Sequence, residues 1–205
     1  MKKINLDEYD IDIQDKNFGI DESEQVKIKP NSSKITNSFY EIGDSVIVAV
    51  VIVVLLLTFV FRLVNIDGLS MFDTLDNSDK VIITNFMYEP QVGDIVVIPA
   101  GKYYDKPIIK RIIALEGQQV YINYTSGEVF VDGVLLNEDY AYSETNNKAG
   151  ETELSLTVGE GEAFIMGDNR SESYDSRYFG PVQVDDIIGK AQFVIFPFNH
   201  FGYLY

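Results

Sequence analysis

The chain has 205 residues, no cysteine and one histidine, His200. That excludes thiol nucleophiles, disulfides and Cys/His zinc frameworks, and it leaves a Ser-His-Asp triad a single, badly placed base. Sixteen Lys+Arg against 32 Asp+Glu give a net charge of -16, so the basic footprint of a nucleic-acid binder is missing and no nucleic acid is expected as a partner.

Residues 1–44 carry six Lys and ten acidic residues without a sustained apolar period. Such a segment buries too little apolar surface to offset its ordering entropy, so 1–41 are expected to form a disordered tail. The uncharged run SVIVAVVIVVLLLTFVF follows at 45–61. Seventeen helical residues reach roughly 25 Å, and flanking residues extend the run toward the roughly 30 Å of a bilayer core. A single transmembrane helix is therefore expected over 42–64, with the lipid bilayer as a partner. Lys27, Lys29 and Lys34 precede the uncharged run and Arg62 and Lys80 follow it, which favours a cytoplasmic N-terminus and an extracytoplasmic domain over 65–205.

That domain reads as mainly β. Apolar runs at 81–84, 94–100, 107–115, 119–124, 128–136, 162–167 and 189–198 are rich in Val, Ile, Phe and Tyr and are separated by Gly- and Asp-containing turns. Val131-Asp132-Gly133-Val134 predicts a two-residue hairpin turn. Residues 137–161 are polar and read as a mobile loop or small subdomain. The aromatic C-terminal run Phe193, Phe196, Phe198, Phe201, Tyr203 and Tyr205 reads as a membrane-facing patch or, in its first half, as core packing of the last strand, and His200 as surface structure.

Three segments offer chemistry. Ser70 lies in Gly68-Leu69-Ser70-Met71-Phe72-Asp73, where a serine is ordinarily a turn residue or cap. Lys110 and Arg111 sit inside Pro107-Ile108-Ile109-Lys110-Arg111-Ile112-Ile113, apolar on both faces of a strand. Two readings stand there: an edge strand whose basic groups snorkel outward, or a buried lysine whose desolvation favours the neutral amine and makes it a base. The third segment, Gly167-Asp168-Asn169-Arg170-Ser171-Glu172-Ser173-Tyr174-Asp175-Ser176-Arg177, reads either as a solvated loop of ion pairs or as a support holding a reactive group.

Taken together, a serine, a lysine forty positions later and GDNR-x-x-S-x-DSR resemble the bacterial type I signal peptidases over 45–198. The resemblance implies an antiparallel β catalytic domain interrupted by a smaller β insertion at about 117–162, no cofactor, and signal peptides of exported preproteins as substrates, met at the secretion translocon. It implies Ser70 as nucleophile, its backbone N–H as oxyanion donor, Lys110 as general base and Ser173 as the hydroxyl orienting the amine. Arg111 with Asp168, and Asp175 with Arg177, are implied as supporting ion pairs. Two positions depart from the pattern. Asp73 stands where the family commonly has Pro, and is expected to face solvent or cap a turn. Gly68 stands where some members carry a serine that assists the oxyanion. The competing class is a non-catalytic scaffold on the same fold assisting pilus assembly, whose members lack the catalytic pair.

Overall fold

The computed structural model describes residues 9–10, 29–30, 32–145 and 150–204. The chain divides near Leu55 into two units. In the first, β1 (Tyr9–Asp10) pairs antiparallel with β2 (Lys29–Pro30), and α1 (Ser32–Phe59) follows. Most of the tail expected to be disordered lies outside the described residues, but 32–41 are helical. The large apolar side chains between Val46 and Leu56 are each about half exposed. Among the described residues, no helix is long and apolar enough to cross a membrane.

The interval expected to be transmembrane, 42–64, also ends differently. The helix stops at Phe59, and β3 (Phe61–Asn65) pairs with β4 (Lys80–Thr84) in the β domain. Apolarity alone did not separate the two, because Phe61, Leu63 and Val64 continue the hydrophobic run while adopting strand geometry.

The second unit is built from antiparallel sheets. The larger contains β3, β4, β5 (Ile95–Ile98), β6 (Ile108–Leu115), β11 (Glu162–Met166), β12 (Val182–Gln183), β13 (Gly189–Phe196) and β14 (Gly202–Tyr203). Its order is β12-β11-β6-β5-β13-β4-β3, with β14 paired to β13. The smaller runs β10-β7-β8-β9, from β7 (Gln119–Asn123), β8 (Glu128–Val131), β9 (Val134–Leu135) and β10 (Glu153–Thr157). At the predicted hairpin Val131 pairs with Val134, and Asp132 and Gly133 both take positive φ, 52° and 75°, as a type I′ turn requires.

β6 decides the site. It lies between β11 and β5, not at an edge, and seven of its eight residues are buried. Snorkelling is thereby closed to Lys110 and Arg111. Ile109 packs with Met71, Leu75, Ile95 and Val97 in one core cluster, while Ile108 and Ile112 join Val96, Ile98 and Ile165 in another. Each such fully buried aliphatic side chain stabilises the fold by about 1.5–3 kcal/mol relative to exposure. In β13 the alternation puts Ala191 and Val194 inside and leaves Phe193 and Phe196 exposed, so the expectation of core packing at those two aromatics is corrected.

Candidate active site

Ser70 is presented by the 66–79 segment joining β3 to β4. Its base is closed by Ile66 N–H donating to Asp79 O (2.8 Å) and Ser78 N–H donating to Ile66 O (2.9 Å). Met71 and Leu75, both fully buried, plant the segment in the core. Ser70 sits between buried Met71 and exposed Leu69, at the point where the chain leaves the core.

Lys110 reaches that point from β6. Nζ lies 2.7 Å from Ser70 Oγ and donates to the Ile109 carbonyl at 2.8 Å. Burial pushes the lysine down to about 8, against the raising influence of Asp175 and Asp168, while Arg177 lowers it further. Desolvation dominates because the ammonium loses its hydration without a carboxylate in hydrogen-bond contact. A neutral amine nitrogen has a lone pair that can accept a hydrogen bond from the Ser70 hydroxyl along the same 2.7 Å line.

The Gly167–Arg177 segment surrounds the pair. Arg111 forms a buried two-point contact with Asp168, Nε to Oδ1 at 2.9 Å and Nη2 to Oδ2 at 2.7 Å. Tyr140 covers the Arg111 guanidinium at 4.2 Å, and Thr74 donates to Asp168 Oδ2 at 2.6 Å. Asp175 accepts from Arg177 Nε (2.8 Å), Arg177 Nη2 (2.8 Å), Gly167 N–H (3.0 Å) and Ser173 Oγ (2.6 Å). The implied pairs Arg111–Asp168 and Asp175–Arg177 are both formed in this geometry. Ser173 differs from its implied role: its hydroxyl proton goes to Asp175, and among the described residues Nζ has Ser70 Oγ and Ile109 O as partners. Gly167 permits this crowding, since a Cβ there would stand 2.4 Å from both Ser70 O and Ser173 Oγ.

Several residues were not singled out by the sequence. Asn169 donates its backbone N–H to Ser70 O (3.0 Å) and its side-chain amide to Leu69 O (3.1 Å). Arg170, fully buried, bonds Gly167 O, Thr145 Oγ1 and Glu138 Oε1. Glu138, Thr145 and Tyr140 come from the polar stretch read as a mobile loop or small subdomain, whose Glu138 and Thr145 are bonded to Arg170 of the active-site loop. His200 is likewise no isolated surface group. Its Nδ1 lies 2.8 Å from Oδ2 of Asp79, a buried carboxylate at the base of the Ser70 segment. Asp73 is exposed, and Gly68, at φ 119°, donates its N–H to Asn77 Oδ1 at 3.0 Å.

A cleft of about 460 Å³ opens beside Ser70 and Lys110, walled by residues 64–71 on one side and 106–110 on the other, with Tyr104 and Tyr174 at its flank. Among the described residues no group of three or more His, Asp or Glu side chains is placed to hold a metal ion.

A hydroxyl in contact with a buried amine at the wall of a cleft has the parts needed for acyl transfer. The family model for signal peptidase, peptidase S26, matches residues 39–196, and the chain belongs to that family. It is 31% identical over 189 residues to signal peptidase I T of Bacillus subtilis (strain 168), covering 87% of this chain and 96% of that protein. It is 33% identical to signal peptidase I of Bacillus licheniformis, covering 82% and 94%. A crystal structure of a signal peptidase I from Enterococcus faecalis is 34% identical, with a TM-score of 0.41, covering 50% of this chain and 97% of that one.

Proposed function

We propose that this chain is a membrane-anchored serine endopeptidase that removes signal peptides from exported preproteins, with Ser70 as nucleophile and Lys110 as general base. The observation carrying the reading is the 2.7 Å separation of Nζ and Oγ inside a buried site, on a chain whose relatives are named signal peptidase I. The same contact argues against a non-catalytic scaffold.

The substrate lies extended in the cleft, its scissile carbonyl against Ser70. Oγ attacks the carbonyl carbon while its proton moves to the neutral Lys110 amine. The oxyanion so formed is held by the Ser70 backbone N–H, which has no protein acceptor among the described residues. Collapse breaks the C–N bond, and the Lys110 ammonium gives its proton to the leaving amine. Water, deprotonated by the same amine, then attacks the acyl ester and frees Ser70. Asp168 and Asp175 are tied to Arg111 and Arg177, and their work is to hold the loop.

The anchor belongs to the same reading. The uncharged run continues in sequence through 45–61 within and just beyond α1, and its apolar side chains from Val46 to Leu56 are exposed in that helix. Inserting them in a bilayer removes them from water. It places the β domain outside the cytoplasmic membrane, where preproteins emerge from the translocon, and exposed Phe193, Phe196, Phe198 and Phe201 suit contact with the interfacial layer.

Because the base works only when neutral, cleavage of a purified preprotein should rise with pH through about 8 and level off above it. The check is kcat/KM measured between pH 6 and 10 in detergent. A limb in the carboxylate range, with no rise near 8, would contradict a lysine base.

A further inference from the structure

The Leu69–Ser70 peptide is a single planar unit. Its carbonyl oxygen and the Ser70 N–H point in opposite directions, so whatever fixes the oxygen aims the N–H. Two donors meet the oxygen, the Phe72 N–H from within the turn and Asn169 Nδ2 from across the site, each at 3.1 Å, and the Asn169 N–H holds the next carbonyl, Ser70 O, at 3.0 Å. One buried residue thus holds the peptides on both sides of the nucleophile.

An asparagine amide can do this only with its nitrogen, and something must keep it from turning over. Its Oδ1 accepts from Ser143 Oγ and Ser171 Oγ, each at 3.1 Å. Ser143 Oγ itself accepts the Ser171 N–H at 3.0 Å. Its one proton is therefore left for Asn169 Oδ1. With the oxygen engaged there, a flipped amide would turn Oδ1 onto the Leu69 carbonyl, two acceptors face to face. Ser143 is held in place in turn. The adjoining Tyr142 N–H donates to Asp168 O at 3.0 Å, and the Tyr142 ring meets Phe72 edge-on at 4.6 Å. Two residues further, Thr145 accepts from Arg170.

We infer that Ser143, acting through the Asn169 amide, is a positioning residue that aims the Ser70 N–H at the oxyanion of the reaction. The inference rests on Ser70 being the nucleophile, as proposed above. It assigns the 142–145 stretch a part in the chemistry, through a relay that crosses from the polar segment to the nucleophile in two side chains.

The test compares Ser143→Ala, Ser143→Thr and Asn169→Asp in preprotein cleavage. Loss of the Ser143 hydroxyl should lower kcat about three- to tenfold, the rate equivalent of one net hydrogen bond, with KM unchanged. Threonine, which keeps the hydroxyl, should restore kcat to within about twofold of the native enzyme. Asn169→Asp keeps the shape but cannot donate to Leu69 O, and kcat should fall about 100-fold, as for loss of an oxyanion donor. Affinity for a peptide aldehyde, whose hemiacetal oxygen occupies the oxyanion position, should fall in parallel, while affinity for the matching peptide alcohol stays constant. Unchanged kcat and aldehyde affinity in Ser143→Ala would overturn the inference, and so would a loss carried wholly by KM or equally by aldehyde and alcohol. Ser143→Ala decides the matter if Asn169→Asp does not fold. Ser70→Ala runs alongside: if it is inactive, a failed Ser143 result counts against the relay alone, and if it cleaves, the nucleophile assignment falls first.

Discussion

Lys110→Ala should cut preprotein cleavage by about 10,000-fold, at the upper end of what a positioned base contributes. Ser70→Ala should do at least as much, because no other hydroxyl meets Nζ among the described residues. Lys110→Arg should be as inactive as the alanine variant. A guanidinium stays charged at every working pH and cannot take a proton. Folding should survive Lys110→Ala, since the change removes a buried amine whose charged form is costly there. The check is single-turnover cleavage of a purified preprotein by each variant, with circular dichroism to verify folding. Activity within tenfold of native in either alanine variant would remove the dyad.

The largest effect on stability is expected at Arg177. Its guanidinium neutralises Asp175, which is completely buried, and also holds the carbonyls of Arg170 and Ser173. Arg177→Met leaves the carboxylate desolvated without its cation, at a cost of about 3–5 kcal/mol. For a domain of this size that corresponds to a melting temperature lower by roughly 6–20 °C. Replacing the pair together, Asp175→Leu with Arg177→Met, should recover part of the loss, because the unpaired charge is the expensive element. The single variant carries a second signature. Arg177 helps to lower the lysine, so its removal should raise the Lys110 midpoint and move the acid limb of the pH profile upward. Thermal melts and pH profiles of the two variants check both parts; an unchanged melt in Arg177→Met would contradict the buried-pair account.

Much of the site was legible in sequence for a physical reason. A lysine and an arginine among isoleucines on both faces of one strand have no route to water once that strand lies inside a sheet, and β6 does. The GDNR-x-x-S-x-DSR motif carries one ion pair, Asp175–Arg177, within itself, so local sequence suffices to see that pair, whereas Asp168 finds Arg111 on β6. What was not legible depends on chain crossings. Asp79 and His200 are 121 positions apart, and nothing near either predicts that a C-terminal turn supplies the partner of a buried carboxylate. Ser143 lies 26 positions from Asn169 in a polar stretch that reads as a mobile loop or small subdomain. Its order comes from bonds to the active-site loop, not from apolar periodicity. Ser173 was placed against the amine by resemblance, whereas a carboxylate two residues away offers a stronger, charge-assisted acceptor and takes its proton. β3 was merged with the preceding helix because an apolar run reports burial before it reports period.

The proposed chemistry needs Lys110 to be a neutral amine at the pH of catalysis, and its protonation can be measured without substrate. NMR titration of the protein with isotope-labelled lysine, the Lys110 signal assigned by its loss in Lys110→Arg, reads the protonation of this one side chain. A midpoint near 8, coinciding with the acid limb of the cleavage profile, is the result this structure predicts. A midpoint at the ordinary lysine value of about 10.4, with cleavage already maximal at pH 7, would contradict it.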